Sequence, residues 1–573
     1  LQNVAQALFI LPLFLFSATA GQLADKYEKS RLIKVTVAIE LVVMGFGAIG
    51  FFTHNLSMLL AALFLGGMQS ALFGPVKYAI LPQHLKEHEL IGGNALVEMG
   101  TSVAILVGMM IGGWMVGQEW GIVAVAFTTM ALSAAGLVTS RFIPLAPAAD
   151  PDLKVNWNIF TETWRNFQFM RGNRTVLLSI LGISWFWFFG AMFLTQFPNL
   201  SKNVLMGDEH VVTLLLVVFS VGIGLGSLLC ERLSGHKVEI GLVPFGSIGM
   251  TLFAVDLYFA LGVTGPIAQG TLGAFVHDSA RWRVLADLLL IGMFGGFYIV
   301  PLYALIQTRS DVSHRSRIIA GNNILNALFI VGAAGVAIGL FAAGFTIPQI
   351  ILVTALLNAI VAIYIYTLVP EFLMRFLVWL LIHSVYRLEK SGLENIPDEG
   401  PVLLVCNHVS FVDGLIIAAA CRRPVRFVMH HSRFNAPVLK FVFRTGRAIP
   451  IASARDDPAL LEQAYDEIAK ALKEGDVVCL FPEGHVTETG EMQRFRPGVM
   501  RILERTPVPV IPMALRGLWG SMFSRVEGSA MAKPFRRGVL SKIGLVVGVP
   551  IRPAAVTPEG LQARVQAMRG DWR

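Results

Sequence analysis

Residues 318 to 344 read IIAGNNILNALFIVGAAGVAIGLFAAG, with no charged side chain anywhere in the run. Wound as an α-helix at about 1.5 Å per residue it reaches about 40 Å, longer than the roughly 30 Å hydrocarbon core of a bilayer. Lipid offers backbone N–H and C=O groups no partner, so such a run must close its hydrogen bonds internally, as a helix does. Ten more runs of comparable length flank it, at 5–24, 32–53, 56–80, 91–117, 120–140, 176–198, 211–230, 239–262, 284–306 and 347–369. Composition agrees: of 573 residues 55% are hydrophobic and 15% charged, with a mean hydropathy of +0.64. Soluble domains carry about 25% charged residues, so a soluble or disordered chain is excluded. Four cysteines, Cys230, Cys406, Cys421 and Cys479, show no regular spacing, and neither a disulfide framework nor a metal site is expected. The net charge of +8 points to loops at an anionic membrane surface, and nucleic acid is not expected as a partner.

Alternate loops between these runs differ in charge. One set holds 15 Lys and Arg residues, among them Lys26, Lys29, Arg31, Arg165, Arg171, Arg309 and Arg317; the other holds only Lys202, Arg281 and Arg283. Positive loops stay on the cytoplasmic side during insertion. The chain is therefore expected to start outside and to deliver everything after residue 370 to the cytoplasm. Leu1 is not an initiator Met, and a twelfth helix upstream of it is expected.

An internal repeat is visible. Ile91-Gly92-Gly93-Asn94 is echoed by Ile319-Ala320-Gly321-Asn322, and Gly67-Met68 with Tyr78-Ala79 by Gly292-Met293 with Tyr303-Ala304, at offsets of 228 and 225 residues. Near-equal offsets predict a duplicated six-helix half. The polar stretch from Pro144 to Arg174 falls where the halves join.

The first loop reads Gly21-Gln22-Leu23-Ala24-Asp25-Lys26-Tyr27-Glu28-Lys29-Ser30-Arg31. It resembles the G-x-L-A-D-R-x-G-R-[KR] loop of the major facilitator superfamily, with Glu28 in place of the family's second glycine. The resemblance implies close helix approach at Gly21 and an ion-paired latch between helix ends built on Asp25 and the cations after it. The second half keeps a degraded copy, Gly226-Ser227-Leu228-Leu229-Cys230-Glu231-Arg232. Gly222, Gly224 and Gly226 alternate inside a span, where small residues serve helix packing rather than a nucleotide loop. Ionisable groups at membrane depth are costly unless they face water or a partner. Glu40, Lys77, Glu98 and Asp256 qualify, and Lys77 and Glu98, beside the repeated Gly-Asn motif, are the candidates for a polar transport cavity.

After Gly392 the apolar runs shorten and charges return. Residues 371–392, with Arg375, Arg387 and Lys390 around a short apolar core, predict an interfacial helix linking the bundle (1–370) to an α/β domain (393–573). Strands are expected at 401–406, 425–429, 447–451, 476–481, 508–515 and 543–549, and a helix from Pro458, capped by Asp457 and stopped by Gly475. After the first strand comes Asn407-His408-Val409-Ser410-Phe411-Val412-Asp413-Gly414. A spacing of five is wrong for one helix face, so His408 and Asp413 meet only if His408 sits on the turn and Asp413 in the first helical turn. That pair makes a general base with an orienting carboxylate. Cys406, two residues before His408, is expected on the strand's buried side rather than as a nucleophile.

In order follow Gly446-Arg447-Ala448-Ile449-Pro450-Ile451, then Phe481-Pro482-Glu483-Gly484, then Val508-Pro509-Val510-Ile511-Pro512. Over residues 393–555 this resembles the glycerolipid acyltransferases of the lysophosphatidic-acid acyltransferase type. In that family the His-Asp pair transfers an acyl group from a thioester to a lysolipid hydroxyl, and the second and third blocks bind the glycerophosphate. The resemblance implies His408 and Asp413 as catalytic and Glu483 and Gly484 as substrate-binding. The family's Thr-Arg after the glycine are His485 and Val486 here, and the arginine ending the second block falls late, at Arg455. Arg447, Arg455, Arg494 and Arg496 are the cations available in their place.

A facilitator bundle followed by this enzyme is similar to bacterial lysophospholipid transporters fused to a 2-acylglycerophosphoethanolamine acyltransferase. That resemblance implies an inner-membrane protein that flips lysophospholipid inward and re-acylates it in the cytoplasm. It implies an acyl-carrier-protein or coenzyme A thioester as co-substrate, acyl carrier protein as partner and no bound cofactor. No AMP-forming ligase motif is present. Two rival readings remain: a transporter of an unrelated solute, and an anchor for an acyltransferase of new phospholipid synthesis.

Overall fold

The structure, a computed structural model, describes residues 2–234, 241–263, 271–368, 376–378, 380, 384–397, 400–421, 423, 425–434, 443–444, 446–526, 538 and 540–572. It divides into two compact units, 1–369 and 370–573.

The first unit is a helical bundle, and every apolar run is a helix: α1 (Gln2–Lys26), α2 (Lys29–Phe52), α3 (Leu56–Ala79), α4 (Leu90–Val116), α5 (Gly121–Ser140), α7 (Arg174–Leu194), α8 (Glu209–Ser234), α9 (Leu242–Val263), α10 (Trp282–Arg309), α11 (Arg315–Ala342) and α12 (Ile347–Leu368). Among the described residues these supply eleven helices long and apolar enough to cross a membrane. One helix was not anticipated: α6 (Ile159–Gly172) forms in the polar link, where Asn158 caps it by accepting from Phe160 N and Thr161 N.

The repeat is realised in packing. α1 pairs with α3, α2 with α3 and α2 with α5, as α8 pairs with α10, α9 with α10 and α9 with α12. The halves meet through α1 against α11 and α4 against α8. The repeated glycines do equivalent work: a Cβ on Gly67 would overlap Phe9 O in α1, and one on Gly292 would overlap Phe219 O in α8. Gly222 and Gly226 likewise bring α8 onto the backbone of α10 at Leu289 and Met293, the small-residue packing the sequence predicts.

The second unit is a seven-stranded sheet with β1 (Tyr386–Ser391), β2 (Val402–Cys406), β3 (Val425–His430), β4 (Ile449–Ile451), β5 (Val477–Leu480), β6 (Val510–Arg516) and β7 (Ser541–Val547), ordered β1-β7-β6-β2-β5-β3-β4. Every neighbouring pair is parallel except β6 with β7. Helices α13 (Asp413–Ala420), α14 (Pro458–Lys473), α15 (Gly498–Arg505) and α16 (Pro558–Arg569) complete it. Central β2 is buried on both faces, with Val402, Leu404 and Cys406 in one core and Leu403 and Val405 in the other. Helix α14 begins as expected: Asp457 accepts from Leu460 N, and Gly475 follows its end at φ +88°.

The expected interfacial helix is corrected at its C-terminal end. Residues 386–391 form strand β1, parallel to β7, with Tyr386 opposite Ser541 and Ser391 opposite Val546. The β7 edge offers unpaired backbone groups, and satisfying them outweighs a weak helical pattern. Most of 371–385 lies outside the described residues.

Candidate functional site

In an open sheet whose central strands run parallel, ligands gather where those strands end. β2 ends at Cys406, and the next residue fixes the turn: Asn407 donates from Nδ2 to Leu515 O (3.1 Å) and accepts from Leu515 N (2.8 Å). His408 follows with its ring stacked on Phe481, centroids 4.3 Å apart. Its Nδ1 lies 2.8 Å from Asp413 Oδ2, in the first turn of α13. The same oxygen accepts from Val409 N (2.6 Å) and Ser410 N (2.9 Å), so three bonds orient a fully buried carboxylate. A carboxylate so placed keeps the proton on Nδ1 and leaves the lone pair on Nε2, in a side chain 21% exposed.

The third block supports the turn from below. Glu483 is 1% exposed, and its two oxygens accept from His408 N and Gln493 N, each at 2.7 Å. Burial pushes its carboxyl above the usual carboxylate range, opposed by those two N–H bonds. Both oxygens are engaged, so Glu483 ties the His408 backbone to the segment around Gln493. Gly484 has φ +82°, and a Cβ there would meet the Arg496 guanidinium at 2.9 Å. A side chain at 484 would thus push away the cation that lies over this turn.

The expected cations separate by end of the sheet. Arg496 N donates to Pro482 O (3.0 Å), which seats Arg496 beside the His408 turn with its side chain exposed. Arg455 follows β4, at the end where His408 sits. Arg447 precedes β4 and accepts at its carbonyl from Arg426 Nε (3.2 Å), near Asp476, at the opposite end. Entering a parallel strand and leaving it are a strand's length apart, so the Arg447 backbone lies away from the end where His408 sits. Arg494 pairs with Glu559 at 3.6 Å on the surface. Cys406 is fully buried, and burial drives its thiol well above the usual range, which rules out a ready nucleophile. Sequence reasoning passed over Asn407 and Phe481, though both lie inside the quoted blocks.

In the bundle, Asp25 is fully buried at the end of α1. It accepts from Ser316 N (3.1 Å), Arg317 N (3.4 Å) and Arg317 Nε (3.0 Å) at the start of α11. The ion pair therefore joins the two halves: the cation bonded to Asp25 is Arg317, from the second half, while Lys29, buried after Asp25, feels its charge without a direct bond. Gly21 allows it, since a Cβ there would stand 2.7 Å from Ala320 Cβ. Glu231, in the degraded copy, lies under Gly92 at the start of α4, the corresponding junction.

Lys77 and Glu98 come together around Tyr78: Tyr78 Oη donates to Glu98 (2.5 Å), and Lys77 Nζ lies 4.7 Å from the Tyr78 ring centre. Tyr78 stacks on its repeat partner Tyr303 at 4.3 Å. Asn94 and Gln307 pair across the halves through both amides, at 2.6 and 3.1 Å. Glu40 instead accepts from Gln69 and Ser133, each at 3.2 Å, and Asp256 pairs with Arg283 at 2.5 Å, so these two serve packing and a helix end.

Among the described residues no group of His, Cys, Asp and Glu could hold a metal ion. The model of the Major Facilitator Superfamily matches residues 1–286, and that of the Acyltransferase family matches 387–516. The lysophospholipid transporter LplT of Cronobacter sakazakii is 31% identical over 325 residues, 54% of this chain and 72% of its own. LplT of Klebsiella pneumoniae is 28% identical over 318 residues, with the same coverage of 54% and 72%. The human organic anion transporter MFSD10 shares the bundle fold at 13% identity and a TM-score of 0.52, over 64% of this chain and 83% of that one. The chain thus belongs to the LplT family of the major facilitator superfamily and carries an acyltransferase domain behind its bundle.

Proposed function

We propose that the bundle carries lysophospholipid from the outer to the inner leaflet of a bacterial inner membrane, and that the acyltransferase domain, on the cytoplasmic side, restores it to a diacyl lipid. The carrying observation is that an LplT-family bundle and a domain with the His408–Asp413 pair occupy one chain. Tethering enzyme and exit path raises the enzyme's effective concentration for the lipid that arrives.

The chemistry follows from Nε2. It takes the proton from the free glycerol hydroxyl of the lysolipid while that oxygen attacks the thioester carbonyl of an acyl-carrier-protein or coenzyme A donor. Asp413 steadies the imidazolium. The tetrahedral intermediate collapses, the C–S bond breaks, and the imidazolium returns the proton to the departing thiolate. The products are ester and thiol, with His408 neutral again, and no bound cofactor takes part. Arg496, beside Gly484, is the candidate for the lipid phosphate. Arg496→Ala is expected to raise KM for lysolipid about tenfold, as for losing a charge-assisted bond of about 1.5 kcal/mol. Arg447→Ala, at the far end, is expected to leave KM unchanged. Steady-state kinetics on both variants checks this, and equal effects would remove Arg496 from the site.

A headgroup crosses hydrocarbon only along a polar path. The Lys77–Tyr78–Glu98 cluster supports such a path and disfavours a mere anchor. In proteoliposomes with acyl donor inside, Lys77→Ala and Glu98→Ala are each expected to slow acylation of lysolipid added outside about tenfold. Lysolipid already in the leaflet facing the donor should be acylated at the normal rate. Equal rates from both sides in these variants would favour the anchor. The same vesicles, run on the unaltered protein with labelled lysolipids of several headgroups, test the whole reading by conversion to diacyl product.

A further inference from the structure

The link between the halves wraps the closed latch. Asp150 N donates to Asp25 O (2.9 Å), Asn156 exchanges two bonds with the Gln22 side chain (2.7 and 2.9 Å), and Lys26 Nζ donates to Leu153 O (2.9 Å). Helix α6 then lies along α1 and α11. The Phe169 ring receives the Arg317 guanidinium at 5.0 Å, and Met170 touches Gly321.

Side chains advance about 100° per residue around a helix, which sorts α6 into three stripes roughly a third of a turn apart. Glu162, Asn166 and Met170 form the first and are fully buried against the bundle. Phe160, Trp164, Phe167 and Arg171 form the second, with Phe160 84% and Trp164 60% exposed. Thr161, Arg165 and Gln168 form the third, polar and exposed. An aromatic stripe beside a packed stripe, with a polar one completing the circle, suits a helix where protein, lipid and water meet. Both spans that α6 joins end on this side, so the helix is held near that membrane surface. Lys154, Arg171 and Arg174 add positive charge to the link.

We propose that the aromatic stripe of α6 is a membrane-contact face, with Phe160, Trp164 and Phe167 among the headgroups and upper acyl chains of an anionic leaflet and Arg171 reaching the phosphates. Trp and Phe beside cations favour that layer over either water or hydrocarbon. The contact pins the link, and through Phe169 and Asp150 the link holds Arg317 at the latch.

The four native cysteines are buried, so Trp164→Cys and Gln168→Cys in the full chain can each carry one environment-sensitive fluorophore. In nanodiscs the label at 164 should be quenched by lipid brominated in the upper acyl chain and protected from aqueous iodide, with the label at 168 showing the reverse. Brominated phosphatidylglycerol should quench site 164 at least about twofold more than brominated phosphatidylethanolamine, through local enrichment of anionic lipid. Lys154→Gln with Arg171→Gln should bring that ratio toward one. Iodide quenching at both sites would overturn the proposal, as would equal quenching by the two lipids. So would a site 164 reached by neither quencher, which would mean that protein, such as an acyl carrier protein, covers the stripe.

Discussion

Replacing His408 by alanine is expected to lower acyl transfer by about a hundredfold or more, the scale on which a positioned general base acts. The substitution is a clean one. The His408 backbone N–H still reaches Glu483, the turn is still fixed by Asn407, and only the stacked ring and its bond to Asp413 are lost. Asp413→Ala is expected to cost at least as much, and for two reasons. It removes the group that orients Nδ1, and it leaves the buried Val409 and Ser410 N–H groups without their acceptor, at about 1–3 kcal/mol each. The turn itself should loosen, so Asp413→Ala should also lower the unfolding temperature of the domain while His408→Ala leaves it nearly unchanged. Lysolipid entry should survive both. Near-normal turnover in His408→Ala would refute the assignment outright.

The second large effect is expected at the latch. Arg317 is 5% exposed, and with Asp25→Ala the acidic groups left near it are Asp150, at 3.7 Å, and the buried Glu162, which also feels its charge. Removing one member of a buried ion pair costs about 3–5 kcal/mol, because the other charge stays buried. The loss falls on the state in which α1 and α11 meet. The equilibrium between closed and open arrangements of this end should therefore move by about a hundredfold or more, at about 1.4 kcal/mol per tenfold. The readout is twofold: thiol labelling of a cysteine placed at Ser316, a fully buried position in the closed end, should accelerate, and acylation of externally added lysolipid should fall. Acylation of lysolipid already beside the enzyme should not change. A variant with wild-type labelling and wild-type entry would show that the Asp25–Arg317 pair does not set the balance.

Several features were legible along the chain because they are local. A span is recognisable from 20 or so consecutive apolar residues, since its helical hydrogen bonds close within the segment and its solvent is fixed by length. All eleven spans, the six strands of the sheet's centre and far edge, and the helix from Pro458 follow from such local patterns. The meeting of His408 with Asp413 belongs here too, since only five residues separate them and one strand-to-helix turn suffices.

What only the tertiary structure decided are partners far apart in sequence. Asp25 finds Arg317 across 292 positions, and Glu483 holds the His408 N–H across 75. No periodicity marks a carboxylate for one backbone amide over another, because a hydrogen bond depends on where two segments pack and not on what neighbours them in the chain. The strand at 386–391 escaped for the same reason, since its partner edge lies some 155 residues on, at 541–546. Arg447 and Arg496 are both exposed arginines beside motif blocks, and only the direction in which β4 and β5 run puts one at the far end and the other over the catalytic turn. Composition specifies which solvent each segment meets; packing specifies which charges, within those segments, meet each other.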